Sequence, residues 1–184
     1  PFLVPPRCCI RASAQVRSFV SRGYFDGLAC ILRERSTLAI RRTQRLKFID
    51  LFTGLGGFHL ALGALGHECV FASEIDDELC ALYDRNFSMQ PDGDLRAIDE
   101  RSIPKHDILC AGFPCQPFSK AGEQRGTKCK LWGDLFSKHV LRVIRHHRPT
   151  YLLMENVANL ERHDGGRTWR SMRRQLEACG YSVD

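Results

Sequence analysis

The sequence predicts one α/β domain built on a parallel sheet in three layers. Segments typical of strands and helices alternate from Lys47 onward, with no internal repeat and no low-complexity tract. The 184 residues, 43% of them hydrophobic, suit a single core. No run approaches the roughly 20 apolar residues of a membrane span, and nothing resembles a secretory signal. We therefore expect a soluble, cytoplasmic protein with no membrane partner.

The first predicted elements surround a glycine-rich turn. Residues 47–52 (KFIDLF) are a short β-rich run that enters the turn TGLGG, which predicts a buried strand. Residues 58–65 continue with apolar side chains at helical spacing, and Gly66 is suited to end that helix. Residues 69–73 (CVFAS) predict the second strand.

The next unit leads to the loop with the most unusual sequence. Residues 76–87 predict a helix with Asp76 as its N-cap. A short strand is predicted around residues 94–98. Residues 107–111 (DILCA) predict a further strand, which runs directly into the loop GFPCQPFS.

The last third of the chain repeats the alternation. Residues 135–147 predict a helix, residues 151–154 a buried strand followed by the letters ENV, and residues 168–179 a final helix. Residues 181–183 are typical of the beginning of one more strand. We expect a sheet that is truncated before its last strands.

The positive charge of the chain lies in its first 45 residues. This segment carries nine arginines and only Asp26 and Glu34 as acids, a net charge of 9 − 2 = +7, whereas the remainder has 18 − 19 = −1. Residues 1–45 are predicted to be a poorly ordered, Arg-rich extension. An arm that contacts a polyanion and a transit peptide are alternatives. Residues 46–184 then form the folded domain.

The nine cysteines do not predict a metal site. No CxxC pair and no Cys/His set at zinc spacing occurs among them, and the chain lacks the character of a small secreted domain. We expect no metal and, for most of these thiols, a buried or idle state.

The glycine turn and Glu74 predict a site for a nucleoside cofactor. Glycines after the first strand let the backbone approach a ligand closely, and the next helix offers free N–H groups. Glu74 follows the second strand, 74 − 54 = 20 residues after the first glycine, where a carboxylate accepts hydrogen bonds from ribose hydroxyls. The dinucleotide pattern GxGxxG would need a glycine where His59 stands, which disfavours an NAD oxidoreductase.

Two further residues at strand ends are suited to catalysis. Cys115 lies in a loop directly after a strand, where a thiolate can act as a nucleophile, although a lone cysteine is more often packing. Glu155 follows an apolar strand and is suited to donate a proton in the same cleft; its alternative role is local pairing at the strand end. Because ligands bind outside the carboxyl ends of parallel strands, we expect these residues to form one site.

The motifs KFIDLFTGLGGFHLAL, SEID, GDLRAID, DILCAGFPCQPFS and LLMENVANL occur in an order and spacing that resemble the DNA cytosine-5 methyltransferases. The chain is most similar to the bacterial enzymes of restriction-modification systems, over residues 46–184. The resemblance implies a Rossmann-like methyltransferase fold that binds S-adenosylmethionine and releases S-adenosylhomocysteine. It assigns the following residues to the cofactor, with Glu74 on the ribose, Ile75 beside the adenine, and Asp94 and Leu95 on the adenine and its amino group: Phe52, Gly54, Leu55, Gly57, Glu74, Ile75, Asp94, Leu95 and Pro114.

The resemblance also implies the reaction and its partner. Double-stranded DNA presents a flipped cytosine, the Cys115 thiolate adds to C6, and Glu155 hydrogen-bonds or protonates N3. The activated C5 takes the methyl group of the cofactor, and loss of the C5 proton with β-elimination then releases Cys115. Pro114, Ser119, Asn156 and Val157 are assigned to the substrate and its loop.

The sequence departs from the family in two places. GTKCKLWGDLF stands where the family's loop usually carries an acidic residue and an Arg-Gly pair, and the later QxRxR motif and target-recognition domain are absent. We therefore expect a fragment or one part of a split enzyme, with a C-terminal half as partner and poor solubility in isolation. A tRNA cytosine-5 methyltransferase and a non-catalytic cofactor-binding remnant are the alternatives.

Overall fold

A computed structural model describes residues 7–13, 44–113 and 134–183. Its centre is a six-stranded sheet in the order β3-β2-β4-β5-β1-β6, and every pairing is parallel. The strands are β1 (Arg7–Ser13), β2 (Lys47–Leu51), β3 (Glu68–Ser73), β4 (Ile108–Ala111), β5 (Tyr151–Val157) and β6 (Ser182–Val183).

Helices connect the strands and cover both faces of the sheet. They are α1 (Gly57–Ala64), α2 (Asp77–Phe87), a π-helical segment (Leu135–Val140) that continues into α3 (Leu141–His147), α4 (Asn159–Arg162) and α5 (Arg167–Ala178). Short 3₁₀ turns occupy Glu100–Ser102 and His163–Gly166. No helix among the described residues has the length and apolar character to cross a bilayer.

Two apolar clusters make the three layers. The larger one packs the π-helical segment, α3 and α5 against one face of the sheet through residues such as Leu109, Ile144 and Leu176. The smaller one joins Leu62 of α1 to Phe48 of β2 on the other face. Central parallel strands covered on both faces are expected to be apolar throughout, and Ile108–Ala111 is buried at all four positions. The predicted α/β fold with a three-layer parallel sheet is confirmed.

Most predicted elements have their predicted ends. The Asp76 carboxylate caps α2 by accepting hydrogen bonds from the N–H groups of Glu78 and Leu79, both at 3.0 Å. Gly66 and Gly180 follow α1 and α5 with φ of +84° and +88°, the left-handed conformation that ends helices at glycine.

Three local predictions were wrong. Residues 94–98 form a turn instead of a strand, because the Asp94 carboxylate accepts from the N–H of Arg96 at 2.9 Å and the Asp94 carbonyl from Ala97 at 2.9 Å. β5 continues through Glu155 to Val157 instead of ending at Met154. The turns of α4 and His163–Gly166 were not predicted, since Asp164 and Gly165 interrupt any helical pattern with φ of 54° and 61°.

The N-terminal extension contributes a strand to the sheet. Residues 7–13 form β1, which pairs with β5 along its whole length and with the first residues of β6. An open strand edge offers unpaired backbone groups, with which residues 7–13 pair. The division into a poorly ordered extension over residues 1–45 and a folded domain over residues 46–184 stays a prediction. Residues 14–43 lie outside the described part of the chain.

Four cysteines are buried, free thiols: Cys69, Cys80, Cys110 and Cys179. Burial raises the pKa of Cys69 to about 11 and also raises the pKa values of Cys80 and Cys110. These three thiols are poor nucleophiles because the thiolate is disfavoured. Among the described residues, no group of His, Cys, Asp and Glu side chains is arranged to hold a metal ion.

Candidate active site

The site forms where four neighbouring strands reach their carboxyl ends. β2 pairs with β3 on one side and β4 on the other, and β4 pairs with β5. Because all four strands are parallel, the loops that follow them emerge along one edge. Backbone hydrogen bonds join the loops there, from Thr53 N–H to the Ser73 carbonyl at 3.1 Å and from Gly112 N–H to the Leu51 carbonyl at 3.4 Å.

The glycine turn after β2 is held in left-handed conformations. Phe52, Gly54 and Gly56 have φ of 59°, 50° and 79°, respectively. Gly56 also lies directly on α2, since a Cβ there would be 2.2 Å from Cε2 of Phe87. Gly54 meets nothing within 4 Å of such a Cβ position, so the turn has one packed side and one open side.

The Glu74 carboxylate joins this turn to the beginning of α2. Oε2 accepts a hydrogen bond from Gly54 N–H at 2.9 Å, and Oε1 accepts from Ile75 and Asp76 at 2.8 and 3.2 Å. The carboxylate is half-buried, and the Ile75 side chain beside it is exposed. Glu74 therefore fixes the relative position of the loops after β2 and β3.

A cavity of about 460 Å³ opens beside Glu74, between α2 and the chain that follows it. This volume lies in the range of small-molecule sites. Its lining includes three carboxylates, Glu74, Asp77 and Asp94, together with the apolar Ile75 and Pro91. Carboxylates that accept hydrogen bonds, together with an apolar surface for a ring, suit the hydroxyls, amino group and base of a nucleoside.

Asp94 is held in place by its own turn. Arg96 Nε donates to both carboxylate oxygens, at 2.9 and 2.7 Å, which keeps the pKa of Asp94 below its ordinary value. Leu95 points away from the cavity into the core, where 1% of its surface is exposed. Asp94 and Leu95, which the resemblance assigns to the adenine and its amino group, thus have different surroundings: Asp94 lines the cavity and Leu95 lies in the core.

A buried polar cluster supports the glycine turn from below. Asp50 of β2 is fully buried, and desolvation raises its pKa to about 7. The Tyr83 hydroxyl donates to Asp50 Oδ2 at 3.5 Å and lies 2.8 Å from Nδ1 of His59. The His59 ring in turn stacks on Phe87 with centroids 4.1 Å apart.

β5 brings Glu155 and Asn156 to the beginning of the loop that contains Cys115. Asn156 is buried, and its Nδ2 donates to the Phe113 carbonyl at 2.9 Å, while its Oδ1 accepts from Val157 N–H. Glu155 is exposed, and its Oε2 lies 3.8 Å from the position of a Cβ on Gly112. The Asn156 side chain therefore fixes the distance between β5 and the residue before Pro114.

The structure brings most of the described candidate residues to one edge. Phe52, Gly54, Leu55, Gly57, Glu74 and Ile75 lie on the loops after β2 and β3, and Asn156 and Val157 follow Glu155 at the end of β5. Pro114, Cys115 and Ser119 lie outside the described residues. The sequence did not reveal the cavity residues Asp77, Gln90 and Arg96, because surface-type residues on a helix and a loop carry no pattern that marks them.

Comparisons with known proteins agree with this architecture. The model of the family described as C-5 cytosine-specific DNA methylase matches residues 46–184. The Type II methyltransferase M.HhaI of Haemophilus parahaemolyticus is 45% identical over 137 residues, which cover 74% of this chain and 41% of that protein. M.MspI of Moraxella sp is 43% identical over 137 residues, covering 74% and 32%. The chain therefore spans less than half the length of these relatives.

Solved structures support the fold. The S. pombe Dnmt2 methyltransferase superposes with a TM-score of 0.54 at 24% identity, over 71% of this chain and 42% of that one. A Spodoptera frugiperda DNMT2 variant gives 0.55 at 24% identity, over 72% and 41%. Because the family match extends from the first residue of the predicted domain to the last, the chain belongs to the C-5 cytosine-specific DNA methylases.

Proposed function

We propose that this chain binds S-adenosylmethionine and carries the groups that transfer its methyl group to C5 of cytosine in double-stranded DNA. The observation that carries the proposal is the position of the Glu74 carboxylate, which contacts the open glycine turn at Gly54 and lines the adjoining cavity. Family membership and the polar groups of this cavity support it.

The cavity fits the cofactor in its chemistry. Glu74 is proposed to accept hydrogen bonds from the ribose hydroxyls, and Asp94 to accept one from the adenine amino group. The exposed Ile75 side chain offers an apolar surface to the ring. The turn at Phe52, Gly54, Leu55 and Gly57 is proposed to hold the amino-acid end. When bound, S-adenosylmethionine supplies an electrophilic methyl group on a sulfonium.

The reacting residues of the chain are proposed to be Cys115 and Glu155. The thiolate of Cys115 forms a bond to C6 of a cytosine flipped out of the duplex, while Glu155 hydrogen-bonds to or protonates N3 and so accommodates the displaced electron pair. After C5 gains the methyl group, its proton passes to solvent, and the C–H electron pair re-forms the C5–C6 double bond as the C6–S bond breaks and the thiolate leaves. Asn156 is proposed to hold the entry of the Cys115 loop at Phe113 throughout, and Pro114, Ser119 and Val157 to border the base.

Calorimetric titration of the chain with S-adenosylmethionine tests the cofactor site. Glu74→Ala is expected to weaken binding about 10- to 100-fold, since two hydrogen bonds to a charged group are lost. Asp76→Ala is the matched control, because it removes a neighbouring carboxylate that caps α2 and does not line the cavity. It is expected to lower helix stability by about 1 kcal/mol without changing the affinity. Equal losses in both variants would contradict a ribose contact.

Methyl transfer tests the reaction and its acceptor. We propose that target recognition comes from a further segment, because the relatives are more than twice as long as the matched part. Labelled methyl is expected to enter duplex DNA when a relative's C-terminal half is supplied, to be lost in Cys115→Ser and to persist in Cys129→Ser. Transfer to tRNA alone would favour the RNA enzyme. Binding without any transfer would favour a non-catalytic remnant.

A further inference from the structure

A single arginine of α3 contacts three groups in the segment that follows the cavity residue Asp94. Arg142 extends from α3, and its Nη1 pairs with the Glu100 carboxylate. Its Nη2 donates to the carbonyl of Leu95 and, at 2.6 Å, to the carbonyl of Ile98. The same helix adds His147, whose Nε2 lies 2.8 Å from the Glu100 carbonyl.

The segment that Arg142 holds is not part of the sheet. Residues 95–97 form a turn and Glu100–Ser102 a single 3₁₀ turn, and no strand among the described residues pairs with them. Buried carbonyls need donors, and Leu95 is itself buried. The partners are 44 to 47 residues apart in sequence, so Arg142 supplies a long-range tie that local turns cannot provide.

The beginning of the segment that Arg142 holds also lines the cavity. Gly93, Asp94 and Arg96 line it, immediately before and after Leu95. Arg142 therefore holds the peptide unit between Leu95 and Arg96, one residue after Asp94, and does not itself line the cavity. A planar guanidinium with several donors at fixed angles suits three acceptors at once, whereas a lysine does not.

We infer that Arg142 is a positioning residue that holds the Asp94 carboxylate where it selects a 6-amino purine. The inference rests on the proposed function, because it concerns the adenine end of the same cofactor site. Arg142 is not proposed to touch the cofactor. It acts through the carbonyls of Leu95 and Ile98, and its loss would let the wall and Asp94 shift together.

The test compares S-adenosylhomocysteine with S-inosylhomocysteine, in which a carbonyl replaces the 6-amino group and N1 carries a proton. The unaltered chain is expected to prefer the adenosyl compound by at least about 10-fold, the value of one hydrogen bond to a carboxylate. Arg142→Met is expected to reduce this preference to less than about 3-fold, and Arg142→Lys to an intermediate value. Arg145→Met, an exposed arginine on the same helix, is the control and should keep the full preference.

The outcomes separate this inference from the proposed function. If the unaltered chain binds neither ligand, the proposed cofactor site fails and the inference with it. If it binds with the preference and Arg142→Met retains that preference, only the inference is overturned.

Hydrogen–deuterium exchange gives a second readout that needs no ligand and applies to Arg142→Lys if Arg142→Met does not fold. Faster exchange over residues 95–103, with unchanged exchange in β2 and β4, is expected. Exchange over residues 95–103 equal to that of the unaltered chain would overturn the inference that Arg142 holds this segment.

Discussion

Asp50 is the residue whose surroundings are least favourable to its charge. Its carboxyl is fully buried in β2, and Oδ1 has no hydrogen-bond partner among the described residues. Tyr83 has one hydroxyl proton for three neighbours, Nδ1 of His59 at 2.8 Å, Oδ2 of Asp50 at 3.5 Å and Sγ of Cys69 at 3.8 Å. A neutral, protonated Asp50 can instead donate a hydrogen bond to Tyr83. Burial accounts for the raised pKa of Asp50, and this choice of hydrogen-bond donor is consistent with the protonated form.

The first prediction concerns the pH dependence of stability. Burial raises the pKa of Asp50 from 3.8 to about 7, so the folded chain holds a proton that the unfolded chain releases. The contribution of Asp50 to the free energy of unfolding should therefore fall by roughly 4 kcal/mol at most as pH rises from about 4 to about 7. Burial lowers the pKa of His106 to about 4, so His106 contributes the opposite slope over this range. Asp50→Asn should remove the Asp50 contribution from the slope, as measured by urea unfolding at several pH values.

Asp84→Asn is the control for that prediction. Asp84 is exposed on α2, so its replacement should leave the pH dependence of the unaltered chain intact. If Asp50→Asn retains the full slope, the proton is taken up elsewhere and the assignment to Asp50 is wrong.

The second prediction concerns Gly56, where the turn meets α2. An alanine there would require a left-handed φ of +79° and a Cβ 2.2 Å from Phe87. The ring cannot move easily, because it stacks on His59 and lies 4.7 Å from the Tyr83 ring. Gly56→Ala should cost about 2–4 kcal/mol of unfolding free energy and weaken cofactor binding.

Gly63→Ala is the matched control for this substitution. Gly63 is inside α1, and a Cβ there meets only His59, at 3.8 Å. It should be neutral or stabilising by up to about 1 kcal/mol, as alanine favours helix. Equal melting temperatures for the two variants would show that the turn tolerates a side chain.

At the scale of elements, the sequence predicted what local chemistry decides. Apolar runs, the Asp76 cap and the glycines at helix ends are visible in a few neighbouring letters, and those elements were correct. The turn at residues 94–98 was missed, because the Asp94 side chain competes with strand pairing for the backbone N–H of Arg96. The pairing of residues 7–13 with β5 was missed because nothing local encodes a partner 144 residues away.

The candidate site divides in the same way. Glu74 and the glycine turn were predictable because they occupy fixed places after strands, whereas Arg142 was not. Its role depends on where α3 packs against residues 95–100, and an arginine on a helix is usually a solvated side chain. Residues that act through long-range contacts leave no mark in the spacing of a motif.

The third prediction concerns the junction of β5 with the Cys115 loop. Asn156→Asp keeps the oxygen that accepts from Val157 but replaces the donor to the Phe113 carbonyl by a second acceptor. The rate of methyl transfer should fall about 10- to 100-fold, as expected for a lost buried hydrogen bond plus repulsion. The affinity for S-adenosylmethionine should change little. Steady-state kinetics and calorimetry distinguish these effects.

Asn86→Asp, on the exposed side of α2, is the control for that variant and should keep both the rate and the affinity. Parallel losses of rate and cofactor affinity in Asn156→Asp would mean that the whole edge of the sheet is disturbed. A local tie at Phe113 would then be excluded.

At the scale of the whole molecule, α1 exposes an apolar surface beside the glycine turn. Leu60 of α1 is 63% exposed, and Leu55 of the preceding glycine turn is 71% exposed. The helix itself carries almost no polar residues. Helices that are apolar all round are normally covered, and uncovered apolar patches promote association. This is the physical basis for expecting poor solubility of the isolated chain.

The fourth prediction follows from this surface. Leu60→Lys should reduce self-association, measured by light scattering, and change the free energy of unfolding by no more than about 0.5 kcal/mol. Leu62→Lys on the buried side of the same helix should instead cost several kcal/mol, because it places a charge in the core. Unchanged association in Leu60→Lys would mean that another surface limits solubility.

The wholly parallel sheet also determines how the chain assembles. Parallel neighbours cannot be joined by a tight hairpin. β2 therefore pairs with β4, some 60 residues later in the chain, and β1 pairs with β5, 144 residues later. Closing longer loops costs more entropy, and non-local pairing slows folding. The adjacent units around β2, β3 and α2 should therefore form early, and the entry of β1 should be a late, slow event. On a ribosome, the N-terminal strand would have to wait for nearly the entire domain before it found its place.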